Sequence, residues 1–207
     1  MTTATLTPQT DQTPAVVNVV DELSGAVWVP RFPAQNTTDH LSADFQAAVD
    51  GFIAALEAAG AEVRIANTFR PKERAYMMHW AHKIARNGVD AATVPAMEGV
   101  HINWVHPTPE QSVAGATAMV NGFGIQGLGV NTPPALNTLH GTGEAIDMSI
   151  TWTGNITVAN KDGTTVEVNT APRTGMNTQL KEIGATYGVK KFVGGNSDKP
   201  HWSTTGH

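Results

Sequence analysis

Thr138-Leu139-His140-Gly141-Thr142-Gly143-Glu144-Ala145-Ile146-Asp147 carries a glycine-containing turn into an alternating β-prone run, and everything else in the chain can be ordered around it. Asn131 to Leu139 reads as a Pro-containing loop, and Glu144 to Ile150 as a strand. His140 then closes the loop and Asp147 lies inside the strand, with Gly141 and Gly143 letting the chain fold back so that both side chains aim at one point. Near the C-terminal end, Ser197-Asp198-Lys199-Pro200-His201-Trp202 adds a second imidazole and a spare acid. Pro200 predicts an extended or polyproline Lys199, and three residues per turn then bring Asp198 and His201 to one side. Two imidazoles, a carboxylate and a neighbouring acid are the parts of a zinc hydrolase centre, which keeps one position open for water. Each residue alone has a plainer reading, a polar loop histidine or a turn-capping aspartate; it is their co-occurrence that carries weight.

Working outward, Phe45, Ala48, Val49, Phe52, Ile53 and Leu56 recur at spacings of three and four, which predicts an amphipathic helix over Leu41 to Ala59 with Ser42 as N-cap and Gly60 as stop. Val63 and Ile65 alternate with polar neighbours over Glu62 to Asn67, as in a half-buried strand. Pro71 fits a first helical position, so a second helix runs to about Asn87, and Pro109 to Asn121 suggests a third. Ile156 to Ala159 and Thr165 to Val168 form a hairpin around Lys161-Asp162-Gly163, because Asp-Gly supplies the positive-φ turn. Asn177 to Tyr187 is the last helix, and Val189 to Val193 leads into Gly194-Gly195 and the second motif. Val16 to Val20 and Ala26 to Val29 read as short edge strands, and residues 1–14, rich in Thr, Gln and Pro, as a flexible tail before a single domain over 15–207. Early helices with strands clustered late argue for an α+β fold, a mainly antiparallel sheet with flanking helices.

The 207 residues suffice for one substantial core and not for two full-sized domains. A net charge of -5 without clustered Lys and Arg argues against nucleic acid as partner. Cysteine is absent, so any metal site must use imidazole and carboxylate. No apolar stretch is long enough to span a membrane, and the first residues lack the basic and apolar regions of a Sec signal.

Weaker signals point elsewhere. His79 and His82 lie three apart on the second helix without the acid of a His-Glu-x-x-His pattern, so surface positions are expected. His101 and His106 flank Trp104, with aromatic packing as the default and a place along the cleft as the alternative. Gly122-Phe123-Gly124-Ile125-Gln126-Gly127-Leu128-Gly129 follows a helix rather than a strand, which excludes a dinucleotide loop. A serine hydrolase elbow is missing.

His140-Gly141-Thr142-Gly143-Glu144-Ala145-Ile146-Asp147 resembles the His-x-x-Gly-x-Ala-x-Asp signature of the zinc D-Ala-D-Ala carboxypeptidase and L-alanyl-D-glutamate endopeptidase family, which includes VanY-like enzymes and phage endolysins. Asp198-Lys199-Pro200-His201-Trp202 resembles its acid-x-x-His-aromatic segment, and Asn67-Thr68-Phe69-Arg70-Pro71-Lys72-Glu73-Arg74 its Gly-Tyr-Arg-Ser-x-x-Glu-Gln block. Thr138 stands where the signature usually has Ser, and Thr68-Phe69 and Arg74 depart from the upstream block. The three blocks fall in the family's order over roughly residues 60 to 203, while residues 88–134 exceed the family's spacing. The resemblance implies the Hedgehog/DD-peptidase fold and one zinc ion on His140, Asp147 and His201. It implies Asp198 as general base and a substrate-facing place for Arg70, with Thr138 and Trp202 beside them. The implied partner is a peptidoglycan stem peptide, cleaved in periplasm or cell wall after release or delivery from the cytoplasm. Phage-type endopeptidases often have Asp at the base position, so Asp198 favours endopeptidase over carboxypeptidase or dipeptidase action. The rivals from another class are a non-catalytic wall-binding module and a structural part of a phage or secretion apparatus.

Overall fold

The computed structural model describes residues 21–207; the expected tail over residues 1–14 and the strand expected at Val16 to Val20 lie outside them. Five α-helices and eight strands follow in the order β1 (Glu22–Leu23), α1 (Ala43–Ala58), β2 (Glu62–Asn67), α2 (Lys72–Asn87), β3 (Ile102–Asn103), α3 (Pro109–Gly122), α4 (Leu139–Thr142), β4 (Ala145–Thr151), β5 (Ile156–Ala159), β6 (Thr165–Val168), α5 (Thr178–Tyr187), β7 (Lys190–Lys191) and β8 (His201–Ser203). The architecture is mixed helix and sheet. Its centre is an antiparallel sheet of four strands in the order β2-β4-β8-β7, with the β5-β6 hairpin separate and β1 pairing β3 in parallel.

Alternation on the central strands explains how the sheet divides core from cleft. Ile146, Met148 and Ile150 of β4 and Trp202 of β8 point to one face, where they meet Phe45, Val49, Phe52 and Leu56 of α1 and Leu180 and Ile183 of α5. Asp147 and His201 fall on the opposite face by the same parity, and they are direct partners in the β4–β8 register. The spacing of three and four that predicted α1 marks the face it buries, and Ser42 does occupy the N-cap position, where its backbone N–H donates to the Gly143 carbonyl at 2.9 Å rather than closing a side-chain cap. That bond joins the start of α1 to the turn carrying His140.

Residues 88–134 build a second apolar cluster. Met77, Ala81 and Ile84 of α2 pack there with Ala116, Met119 and Val120 of α3 and with Trp28, Ile102 and Trp104. Helix α3 begins at a full capping box, Thr108 Oγ1 accepting from Gln111 N while the Gln111 side chain returns to Thr108 N. Thus residues 88–134 form a wall against α2.

Two expectations are corrected. Ala26 to Val29 is no strand: Ala26–Trp28 is a 3-10 turn that swings Trp28 into the α2–α3 cluster, tertiary burial overriding the local β tendency. His82 is no surface residue but fully buried on the inner side of α2, whereas His79 donates from Nδ1 to the Pro134 carbonyl at 2.7 Å.

Trp202 is fully enclosed, with its ring centroid 5.5 Å from that of Phe52. Removing it in Trp202→Ala is expected to lower stability by about 3–5 kcal/mol, measured as a lower urea midpoint.

Candidate metal centre

Three elements deliver the site. His140 sits not at the end of a loop, as its sequence suggests, but in the single turn of α4. Gly143 ends that turn at φ 72, where a Cβ would lie 2.8 Å from Ser42 N and 2.9 Å from the His40 carbonyl, so both backbone sign and space demand glycine. Arg70 N donates to the His140 carbonyl at 3.0 Å and clamps the turn onto the β2–α2 junction. Asp147 and His201 come from adjacent strands.

The three side chains converge. His140 Nε2 lies 3.3 Å from Asp147 Oδ1 and 3.3 Å from His201 Nδ1, and His201 Nδ1 lies 3.2 Å from Asp147 Oδ1. Ligand atoms placed tetrahedrally about 2.0–2.1 Å from a common ion stand about 3.3–3.4 Å apart, so this near-equilateral triangle fits one face of a tetrahedron. A metal ion could bind there, held by His140, Asp147 and His201.

The far nitrogens fix which ring atoms are free to ligate. His140 Nδ1 is 3.1 Å from the Thr68 carbonyl, which can only accept, so Nδ1 carries the proton and Nε2 offers its lone pair. His201 Nε2 is 3.1 Å from the His207 backbone oxygen, which leaves Nδ1 as the ligating atom. Asn67 adds an amide 3.2 Å from His140 Nδ1, and its Oδ1 is buried without a partner. Turning that amide over places Oδ1 toward the His140 N–H, the orientation the hydrogen-bond chemistry favours. Nothing in the residue pattern marks Asn67 as a supporting group. Simple alternation sets it on the same side as Val63 and Ile65, but a bulge between Ile65 and Asn67 reverses the parity and pairs Asn67 with Asp147.

Electrostatics follow from this packing. Burial opposes charge on Asp147, yet its contacts with His140 and His201 outweigh burial and hold the carboxyl well below its ordinary range. Burial likewise disfavours the His201 cation, but Asp147 outweighs it and raises the imidazole. Asp198 is raised, first by burial and then by Asp147, with His201 and Lys191 opposing. The Arg70 guanidinium is lowered by burial, against the attraction of Asp147 and Asp198.

A cleft of about 420 Å³ opens over the triangle, lined by Arg70, Thr138, Asp198 and the three candidate ligands, with Asn137, Thr205 and His207 completing its rim. The structure therefore gathers six of the seven expected residues. Trp202 is the exception: it occupies the core face behind His201, because adjacent strand residues point to opposite sides. Lys199 is also corrected, adopting φ −66 and ψ −34 as the end of a 3-10 turn over Gly195–Asp198 rather than an extended conformation. Asp198 thus reaches the cleft from a turn and His201 from a strand. His106 lies elsewhere, beside a separate cavity of about 410 Å³ bounded by Ile84, Val105 and Val113, and His101 faces Asp21 at 3.5 Å. Neither contributes to the metal centre.

Comparisons of the chain with protein-family models, with curated proteins and with solved structures find no match. Geometry and donor chemistry are what the site offers.

Titration with a divalent metal is expected to give one equivalent per chain, lost in His140→Ala and Asp147→Ala and weakened about 10- to 100-fold in Asn67→Ala. Since His201 is raised and must shed its proton to ligate, affinity is expected to fall as pH drops through its titration, by about tenfold per pH unit for each proton displaced. A metal isotherm independent of pH over roughly 5 to 8, the range in which imidazoles titrate, would remove His201 from the ligand set.

Proposed function

We propose that the protein is a zinc-dependent peptidase of peptidoglycan stem peptides, acting as an endopeptidase of the L-Ala-D-Glu type, with the Hedgehog/DD-peptidase fold. The observation that carries this reading is the open triangle of His140, Asp147 and His201 facing a cleft that also holds an acid, Asp198, and a cation, Arg70. Two imidazoles and one carboxylate at tetrahedral spacing suit zinc, and a closed structural site would present four protein ligands rather than three and a free acid. Zinc held there supplies Lewis acidity, polarising a carbonyl and making water a usable nucleophile near neutral pH.

The remaining work falls to the chain's own groups. Asp198 makes no hydrogen bond to another side chain among the described residues, so its carboxylate is available to take a proton from water and return it to the leaving amine. Its raised pKa brings it closer to the range in which a carboxyl can both accept and donate. Arg70 lines the same cleft without an ion-pair partner among the described residues, and it is placed to stabilise negative charge developing on the scissile carbonyl oxygen. Thr138 shares the rim and offers a hydroxyl to the substrate backbone.

Asp at the base position supports the endopeptidase choice. The unpaired Arg70 favours a second reading, D-Ala-D-Ala carboxypeptidase action, because a guanidinium can hold a terminal carboxylate in bidentate fashion. Mass spectrometry of muropeptides after digestion separates the two by the bond that is cut.

Asp198→Asn is expected to retain one equivalent of zinc while turnover falls by about 10²-fold or more. Full activity in that variant removes Asp198 from the base role. Arg70→Lys is expected to keep metal affinity and lose about 10-fold or more in kcat/KM, because a point charge does not replace the planar fork. Cleavage that persists after zinc is stripped by EDTA would end the metallopeptidase reading.

A further inference from the structure

Asp198 makes no side-chain hydrogen bond among the described residues, so its place in the cleft depends on whatever fixes the turn beneath it. That turn is lightly tied. Within Gly195–Asp198, Ser197 bonds back to the Gly194 carbonyl through N at 3.5 Å and through Oγ at 2.9 Å. Beyond it, Met148 N holds the Pro200 carbonyl at 3.0 Å. Lys191 supplies the rest. Its Nζ donates to the Lys199 carbonyl and, at 2.9 Å, to the His201 carbonyl, the two backbone oxygens that flank Pro200. Among the described residues it is the one side chain from outside this segment that bonds to the stretch from Gly194 to Pro200.

Lysine is an unusual choice for this place. The residue is only 7 % exposed, with its ammonium 5.0 Å from the ring centroid of the buried Trp202. A buried ammonium is retained only where it is fully hydrogen-bonded or paired, and here the partners are the carbonyl of Lys199, which follows Asp198, and that of His201, at the start of β8. Lys191 faces Trp202 across the β7–β8 pair, so it reaches these carbonyls from within the sheet, away from the cleft.

We infer that Lys191 is a positioning residue that pins the Asp198 turn, acting on the reaction through Asp198 without touching substrate. The inference rests on the peptidase reading for its kinetic consequence and on geometry alone for its structural one. Misplacing a catalytic group by about 1 Å costs on the order of 10²-fold in rate, which sets the effect to be sought.

The experiment uses the zinc-loaded full chain with Lys191→Met, which keeps the side chain's length and removes its donors, and Lys191→Arg, which keeps charge and donors. In Lys191→Met we expect one equivalent of zinc retained and amide hydrogen exchange over residues 195–199 faster by about tenfold or more, with β4 unchanged. We also expect kcat on a stem peptide to fall by about 10- to 100-fold with KM within about twofold. Lys191→Arg is expected to recover most of the rate. Loss of zinc together with exchange across β4 and β8 would make Lys191 a general structural residue and overturn the inference, as would native exchange and native kcat in Lys191→Met. If Lys191→Met does not fold, Lys191→Arg decides: native exchange over 195–199 with native kcat supports the pin, and either one altered with the other unchanged overturns it. Should the native protein cut no stem peptide, the peptidase reading fails by itself, and the exchange measurement still decides whether Lys191 holds the turn.

Discussion

The site depends on one register. Pairing Asp147 with His201 across β4 and β8 sets an acceptor and an imidazole side by side on the face turned away from the core. The same alternation sends Ile146, Met148 and Trp202 inward against α1 and α5, so the burial that stabilises the sheet also aims the ligands. A slip of one residue would exchange the two faces of the strand that slips, burying Asp147 in the case of β4 or His201 in the case of β8 among apolar side chains. Strong apolar packing on one side is therefore what makes the polar side dependable.

Around that pair the structure adds constraint in layers. The bulge in β2 brings Asn67 into the row, the Thr68 carbonyl selects the His140 tautomer, and the His207 backbone oxygen selects that of His201. Gly143 lets the His140 turn lie against the start of α1. Each support acts on a nitrogen or a backbone turn that faces away from the ligand triangle, so the triangle's open side is left to the cleft. Asp147, held charged by the two imidazoles despite burial, balances whichever proton or cation occupies the space between them.

Residues 88–134 stand apart from this centre. Through α3, Ile102 and Trp104 they pack against α2 and Trp28 in a second apolar cluster, and they contribute no residue to the ligand triangle. What they do set is the far side of α2, whose first turn follows Arg70.

Local sequence determined much of this. Spacing of apolar residues marked α1, the Asp-Gly turn marked the β5–β6 hairpin, and the donors His140, Asp147 and His201 were named from residue type and order. Strand parity was equally legible for Asp147, since Ile146 and Met148 flank it. Three things were not. Trp202 stood next to a ligand in sequence, yet neighbours in a strand point to opposite faces, and only the sheet's core side decided which was which. Asn67 required a bulge that reverses parity, and a bulge is set by pairing with another strand. Lys191 and Asp198 are linked through backbone carbonyls, which every residue has and no side-chain pattern can announce. The chemistry was written in residue identities; the direction each side chain faces came from long-range pairing, because a strand's two faces are distinguished only by what packs against them.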